Sequence, residues 1–227
     1  MKNILTGARS FFSVKSDQHT LAILGISSAF CIAVIIARCF VYDSHRYLFL
    51  GWNLFLAWVP VWFTFALHTK SIGRYAEATK LACLGLWFLF LPNAPYVLTD
   101  LFHLAAIPGV PIWLDWLILL SCGWTGLLLG FWSMIRVRKW ILPKLSPGLG
   151  MLFVPVTLLA CAYGVYLGRF ERWNSWDIVS HPFAIGLDIL QSLVRPRALG
   201  MTALFSLFLA FAWWCFSPLF QNDAHDR

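Results

Sequence analysis

Six long apolar stretches, separated by short segments that carry most of the charges, constrain this chain more than any other feature. A helix needs about 20 predominantly apolar residues to cross a bilayer. The six stretches lie at residues 21–37, 47–67, 81–98, 112–135, 149–168 and 198–216. Backbone polar groups must be paired inside lipid, and only helices or closed barrels achieve this. We therefore predict an all-α polytopic bundle of about six transmembrane helices, with residues 21–219 forming one transmembrane domain.

The composition argues against a soluble globular protein. Apolar residues make up 60% of the chain and charged residues 12%, where ordinary domains have about 45–50% and about 25%. The net charge of +7 comes from scattered clusters and not from a basic domain, so we predict no nucleic-acid partner. None of the six cysteines forms a CxxC pair, which leaves zinc, redox and disulfide-framework hypotheses without support. We predict no cofactor.

The distribution of basic residues predicts the orientation in the membrane. With the N-terminus in the cytoplasm, 11 of the 17 lysines and arginines lie on the cytoplasmic side, in a leader (residues 1–20), two loops and a tail (residues 220–227). The six on the other side are balanced by six acidic residues. The positive-inside rule then places both termini in the cytoplasm. The leader is long and lacks a small-residue cleavage site, which favours an uncleaved anchor over a signal peptide.

Two further patterns concern helix packing. Residues 183–194 are apolar but carry polar residues at helical spacing, which predicts an interfacial or re-entrant helix, with a seventh span as the alternative. Small residues recur at every fourth position in two stretches, as Ala160, Gly164 and Gly168 and as Gly126 and Gly130. This spacing lets helix backbones approach closely in lipid. We interpret these positions as packing faces, with a ligand groove as the alternative.

Two unusually polar segments fall on the same, outer face in this topology. They are LPNAPYVLTDLFHL at residues 91–104 and YGVYLGRFERWNSWDIVSHP at residues 163–182. Both resemble the hallmark stretches of an uncharacterised family of bacterial multi-pass membrane proteins, classed as a domain of unknown function. The resemblance covers most of the chain from the second apolar stretch onward. It implies a protein of the bacterial cytoplasmic membrane and supplies no activity, substrate or cofactor.

In each polar segment an aspartate precedes a histidine by three or four residues, as in Asp100 with His103 and Asp177 with His181. On a helix such residues share a face. A carboxylate next to an imidazole can orient a general base, so Asp100, His103 and Asp177 are candidate catalytic residues. The two pairs and Asp115 would also suit a hard metal ion. We predict no metal site, because no recognised metal-ligand spacing is present.

A purely local interpretation of the same residues is helix capping. Thr99 or Asp100 would cap a short helix that starts at residue 101, and Asn174 or Ser175 would cap one that starts at residue 176. Side-chain oxygens of these residue types commonly accept hydrogen bonds from the free N–H groups at a helix start. Both interpretations stay open at the level of sequence.

Four residues are candidates for substrate binding. Arg169 and Arg172 are three residues apart and offer planar donor groups that suit phosphate or carboxylate. The alternatives for them are snorkelling toward lipid headgroups and ion pairing with neighbouring acids that locks the outer loops. Asn93 lies between two prolines that interrupt the third stretch and expose backbone carbonyls. Asn174 completes the set. We also expect the two polar segments to meet.

Three classes of function fit these features. The first is a membrane enzyme with a polar site on the outer face that acts on a lipid-linked or anionic substrate, with Asp100 or His103 moving a proton and arginines holding the anion. The second is a structural or partner-binding subunit of a membrane complex. The third, a small transporter, ranks last because the ionisable residues cluster toward the ends of the stretches. Expected partners are the bilayer, an anionic or lipid-linked molecule, and a membrane protein.

Overall fold

The computed structural model describes residues 2–69 and 76–220, and the side chains of residues 17–69 and 76–218. Regular structure in these ranges is helical, apart from an isolated bridge between Ile107 and Val110. The α-helices described there are α1 (Lys2–Tyr42), α2 (Phe49–His68), α3 (Ala76–Phe90), α4 (Asn93–Tyr96), α5 (Ile112–Ile141), α6 (Pro147–Tyr166), α7 (Asp177–Ser180), α8 (Pro182–Ser192) and α9 (Pro196–Phe216). A 3-10 helix, Val97–His103, follows α4.

Six helical segments in the described part are long and apolar enough to cross a membrane, which confirms the all-α polytopic bundle. They comprise α1 from Asp17, α2, α3 through the 3-10 helix, α5, α6 and α9. The alternative of a seventh span does not hold, because α8 has only 11 residues and reaches about 16 Å of the roughly 30 Å that a span requires. Residues 2–20 of the leader continue into α1. Met1, residues 70–75 and the tail from 221 lie outside the described residues.

Helix α5 is the centre of the bundle. Of the 18 consecutive residues that form its most apolar stretch, 78% are buried, whereas 17% are buried in the corresponding stretch of α9. Helices α1, α2 and α4 pack around α5, while α6 packs against α9. One buried apolar cluster lies among α1, α2 and α5, and a second joins α3, α5, α6 and α9. The outer faces of the spanning helices expose large apolar side chains such as Phe211 and Trp214, as lipid contact requires.

The third crossing is broken in the middle of its path. Helix α3 ends at Phe90, and Pro92 just before α4 and Pro95 within it supply no backbone N–H. The chain continues as the four residues of α4 and then tightens into the 3-10 helix Val97–His103. The polar residues that follow the break lie between α2 and α6 as a result of this change of helix type.

Glycines on both sides allow the broken segment to approach its neighbours. A Cβ atom at Gly126 of α5 would lie 2.6 Å from the Ala94 carbonyl oxygen, and one at Gly164 of α6 would lie 2.5 Å from the Pro92 Cγ. Real Cβ atoms essentially never lie this close to a neighbour, so a larger residue at either position would force the broken segment to shift. Gly126, Gly130 and Gly164 thus pack against the segment after α3, as the packing interpretation expects. The stripe of Ala160, Gly164 and Gly168 also lines a cavity, as the alternative of a ligand groove expects.

Candidate functional site

The two polar segments are in direct contact. The Asn93 Nδ2 donates a hydrogen bond to the Ser175 Oγ over 2.9 Å. The Arg169 Nη2 donates to the Asp100 Oδ1 over 2.6 Å. The expectation that the segments meet is confirmed, and two of the candidate residues form an ion pair.

Asp100 is the centre of a buried polar group. The residue is 1% exposed, and each of its carboxylate oxygens accepts a hydrogen bond. The Asn53 Nδ2 of α2 lies 2.7 Å from Oδ2, and the Arg169 Nη2 lies 2.6 Å from Oδ1. A carboxylate away from water is costly unless it is paired and hydrogen-bonded. Asn53 and Arg169 meet both requirements.

Arg169 connects this carboxylate to two other side chains. It lies in the π-helical turn Leu167–Glu171 that extends α6. Its Nε and Nη2 donate to the Thr99 Oγ1 over 3.0 and 2.8 Å, and its Nη1 lies 3.0 Å from the His103 Nε2. Because a guanidinium only donates, the His103 Nε2 accepts and its proton sits on Nδ1. The guanidinium also stacks on the Tyr96 ring, 4.6 Å from its centroid. We call Asn53, Thr99, Asp100, His103 and Arg169 the Asp100 cluster.

His103 lies at the exposed edge of the Asp100 cluster. Its ring meets that of Phe49 edge to face, with the centroids 5.1 Å apart. Its backbone carbonyl oxygen lies 3.2 Å from the Arg46 Nη2 and 3.5 Å from the Tyr47 hydroxyl. The loop before α2 is thereby tied to the end of the 3-10 helix.

The capping interpretation is wrong for both segments. Asp100 lies inside the 3-10 helix and its side chain bonds residues of α2 and α6 instead of a helix start. The Thr99 hydroxyl donates backward to the Tyr96 carbonyl. Helix α7 begins at Asp177 without a side-chain cap. Asn174 instead donates its backbone N–H and Nδ2 to the Asp177 Oδ2, over 2.8 and 3.1 Å.

Asp177 is separate from the Asp100 cluster. Its carboxylate bonds Asn174 and Ser180, and the ring of His181 faces the Ser180 hydroxyl. The backbone N–H of Asn174 holds the pKa of the Asp177 carboxyl below its usual range. Asp177 and His181 make no side-chain hydrogen bond with each other in the described part. Within the same residues, no three His, Cys, Asp or Glu side chains converge on a possible metal position.

The structure divides the predicted arginine pair. Arg169 belongs to the Asp100 cluster, whereas Arg172 is exposed in a left-handed conformation with φ 62°. Among the described side chains, the Arg172 guanidinium has no hydrogen bond or ion pair. An ion pair of the kind expected to lock the outer loops joins Glu171 and Arg195 instead, with 2.7 Å between the Glu171 Oε1 and the Arg195 Nη1. The alternative of loop locking by ion pairs thus applies to residues other than Arg172.

A cavity of about 370 Å³ adjoins the Asp100 cluster. It lies among α2, α3, the proline break, α6, the loop after α6, and α8. Its polar residues are Asn53, Asn93, Asn174 and Ser175, together with the tyrosines and tryptophans of an otherwise apolar wall. No charged residue of the described part of the chain lines it. Two of the four candidate substrate-binding residues, Asn93 and Asn174, line this cavity, while Arg169 and Arg172 do not.

The sequence analysis did not identify the ion pair between Arg38 and Asp115. The Arg38 Nε and Nη2 donate to the two Asp115 oxygens over 2.6 and 3.2 Å, and the side chains are 0% and 1% exposed. The Arg38 Nη1 lies 3.3 Å from the Ser44 carbonyl oxygen, and Tyr47 stacks below the guanidinium. The sequence contains an indication of this pair, since Asp115 is the only charged residue in the fourth apolar stretch and Arg38 directly follows the first apolar stretch.

The fold and the buried polar groups define a multi-pass membrane protein. The chain belongs to a family of proteins of unknown function (DUF1361), whose family model matches residues 52–212. The match includes every residue of the Asp100 cluster and Asp115, and it begins after Arg38. No curated protein and no solved structure matches the chain.

Proposed function

We propose that the protein binds a lipid-like molecule, with an apolar chain and a small polar head, in the cavity beside the Asp100 cluster. The observation that carries this proposal is the cavity itself. Its volume of about 370 Å³ falls in the range of small-molecule pockets, about 300–1,000 Å³. Such pockets combine apolar walls with a few placed polar groups, and four asparagine and serine side chains supply them here.

The position of the cavity supports a ligand that comes from the bilayer. Trp52 of α2 and Phe88 of α3 line it and are 54% and 44% exposed. Both belong to membrane-crossing helices, whose exposed apolar faces contact lipid. We propose that a lipid enters the cavity at this exposed, lipid-facing wall without passage through water.

The Asp100 cluster supports a positioning role better than proton transfer. Both oxygens of Asp100 and the Nε2 of His103 already accept hydrogen bonds from the protein. To act as a base through Nε2, which has one lone pair, His103 must first release its bond to Arg169. Asp100 is 1% exposed, so its carboxylate reaches a substrate only if the packing around it opens. The cluster instead ties α2, the 3-10 helix and α6 together, and these elements form walls of the cavity. Catalytic roles for Asp100, His103 and Asp177 remain the second hypothesis.

We also propose that the end of the bundle that carries His103 faces the outside of a bacterial cytoplasmic membrane. The distribution of basic residues supports this orientation. Arg136, Lys139 and Lys144 cluster at the opposite end, where α5 meets α6, and cytoplasmic loops carry such an excess. The cavity would then serve lipids at the outer leaflet.

A cavity-filling variant tests the proposed function. Ala160 of α6 lines the cavity, so Ala160→Phe places a ring inside it. Ala203→Phe, on the exposed face of α9, is the matched control. Purified protein is stripped of loosely bound lipid and examined by native mass spectrometry. We expect a retained lipid in the wild type and in Ala203→Phe, and its loss in Ala160→Phe. Equal lipid retention by both variants would contradict the proposal.

A further inference from the structure

We infer that the cavity selects an uncharged headgroup that donates a hydrogen bond, as a hydroxyl does, and disfavours an anionic headgroup. This inference rests on the proposed function and specifies the chemistry of the ligand. The residues that set the selectivity are Asn53 and Asn93, which both line the cavity. Each side chain presents a free amide oxygen, while the Asn93 Nδ2 makes two hydrogen bonds and the Asn53 Nδ2 makes one.

The hydrogen-bond partners determine which way each amide points. The partner of Asn53 is the Asp100 carboxylate, 2.7 Å away. A carboxylate that is ionised, as in the ion pair of Asp100 with Arg169, only accepts hydrogen bonds. Asn53 must therefore turn its Nδ2 toward Asp100. The Asn93 Nδ2 lies 2.8 Å from the Phe90 carbonyl oxygen and 2.9 Å from the Ser175 Oγ. A carbonyl oxygen also only accepts, so the orientation of Asn93 is equally determined.

The two amide oxygens are free and accessible. Neither Oδ1 has a hydrogen-bond partner among the described residues, yet neither belongs to the buried side-chain atoms that lack a partner. Both oxygens are therefore accessible, and both residues line the cavity. The Ser175 hydroxyl adds no free donor, because it accepts from Asn93 and lies 3.1 Å from the Leu89 carbonyl oxygen, to which it donates.

Charge discriminates further against an anion. Among the described side chains, no lysine, arginine or histidine lines the cavity, and the nearby Arg169 is already bonded to Asp100 and Thr99. A phosphate that left water would meet no counter-charge among these lining residues, which is strongly unfavourable. A hydroxyl would find acceptors for its proton and carry no charge to desolvate. The anionic headgroup expected from the paired arginines therefore does not suit this cavity.

Three lipids with the same acyl chains test the inference. Diacylglycerol has a free hydroxyl, its 3-O-methyl ether has none, and phosphatidic acid carries a phosphate at that position. Binding to the full-length protein is measured in neutral-lipid nanodiscs by quenching of its intrinsic tryptophan fluorescence with brominated acyl chains. We expect diacylglycerol to bind about fivefold more tightly than the ether, which leaves an acceptor unpaired. We expect phosphatidic acid to bind at least about tenfold more weakly than diacylglycerol.

A variant locates the selectivity. Asn93→Leu removes one of the two acceptors at similar size, and we expect it to reduce the preference for diacylglycerol over the ether while keeping wild-type affinity for the ether. Ser206→Ala, on α9 away from the cavity, should retain the wild-type preference. Phosphatidic acid that binds wild-type protein as tightly as diacylglycerol would overturn the inference and leave the proposed function intact. Failure of all three lipids to bind the wild type would overturn the proposed function as well.

Discussion

Replacement of Asp115 by leucine is expected to destabilise the protein by about 3 kcal/mol. Its partner Arg38 is fully buried, and the carboxylate accepts from two of the three guanidinium nitrogens. Loss of one member of a buried ion pair leaves an uncompensated charge, which typically costs about 3–5 kcal/mol. We expect the lower end of this range, because the carbonyl of Ser44 and the ring of Tyr47 still contact the guanidinium in the variant.

The double variant Arg38→Met/Asp115→Leu separates the buried charge from simple loss of packing. It removes both charges and retains apolar side chains of similar length. Exchanges of this kind at buried ion pairs are often neutral or stabilising. We therefore expect the double variant to regain most of the stability that Asp115→Leu loses.

The assay is reversible unfolding in mixed micelles, with helix content followed as the fraction of denaturing detergent rises. An exposed ion pair of the same chain is the matched control. Lys80 and Glu77 are 3.6 Å apart, and the Glu77 side chain is 83% exposed. Because such pairs contribute little, Glu77→Ala should change the unfolding free energy by less than about 1 kcal/mol. An Asp115→Leu variant as stable as Glu77→Ala, or a double variant as unstable as Asp115→Leu, would refute the reasoning.

Two further predictions concern packing and orientation. Gly164→Ala should destabilise the protein by about 1–3 kcal/mol, because the alanine Cβ would lie 2.5 Å from the Pro92 ring. The control Gly148→Ala, at a glycine with open space around it, should be neutral or slightly stabilising in the same unfolding assay. Equal effects of the two alanines would contradict the packing argument. Reporter fusions after Lys144 should indicate the cytoplasm and fusions at His103 the outside; the reverse pattern would invert the proposed orientation.

The number of crossings and the packing glycines could be predicted because both depend on local sequence. A span needs only sufficient length and apolarity, which a count along the chain measures directly. Close helix approach needs small residues four positions apart, and Gly126 and Gly164 lie in such patterns. The prolines around Asn93 indicated the break for the same reason, since proline lacks the N–H that a helix requires.

The polar partners could not be predicted because they depend on how helices are rotated about their axes. Asp100 resembles a capping residue when only its neighbours are considered, yet its partners are 47 and 69 residues away. Asn53 attracts no attention in sequence, being one polar residue in an apolar stretch. Arg38 and Asp115 could each have faced the membrane surface. Only the packing of α1 on α5 turns them toward each other.

The broken crossing accounts for the cluster and the cavity together. Irregular backbone at membrane depth is tolerated only where protein buries it or where it lines a cavity. Here the segment after α3 does both. On one side the segment packs closely against glycines of α5 and α6. At its end, the Asp100 carboxylate accepts hydrogen bonds from Asn53 of α2 and from Arg169 in the turn that extends α6. On the other side Asn93 and Tyr96 remain as part of the cavity wall. Because the same prolines produce both features, a change that straightens this segment should remove the cavity and unpair Asp100 together.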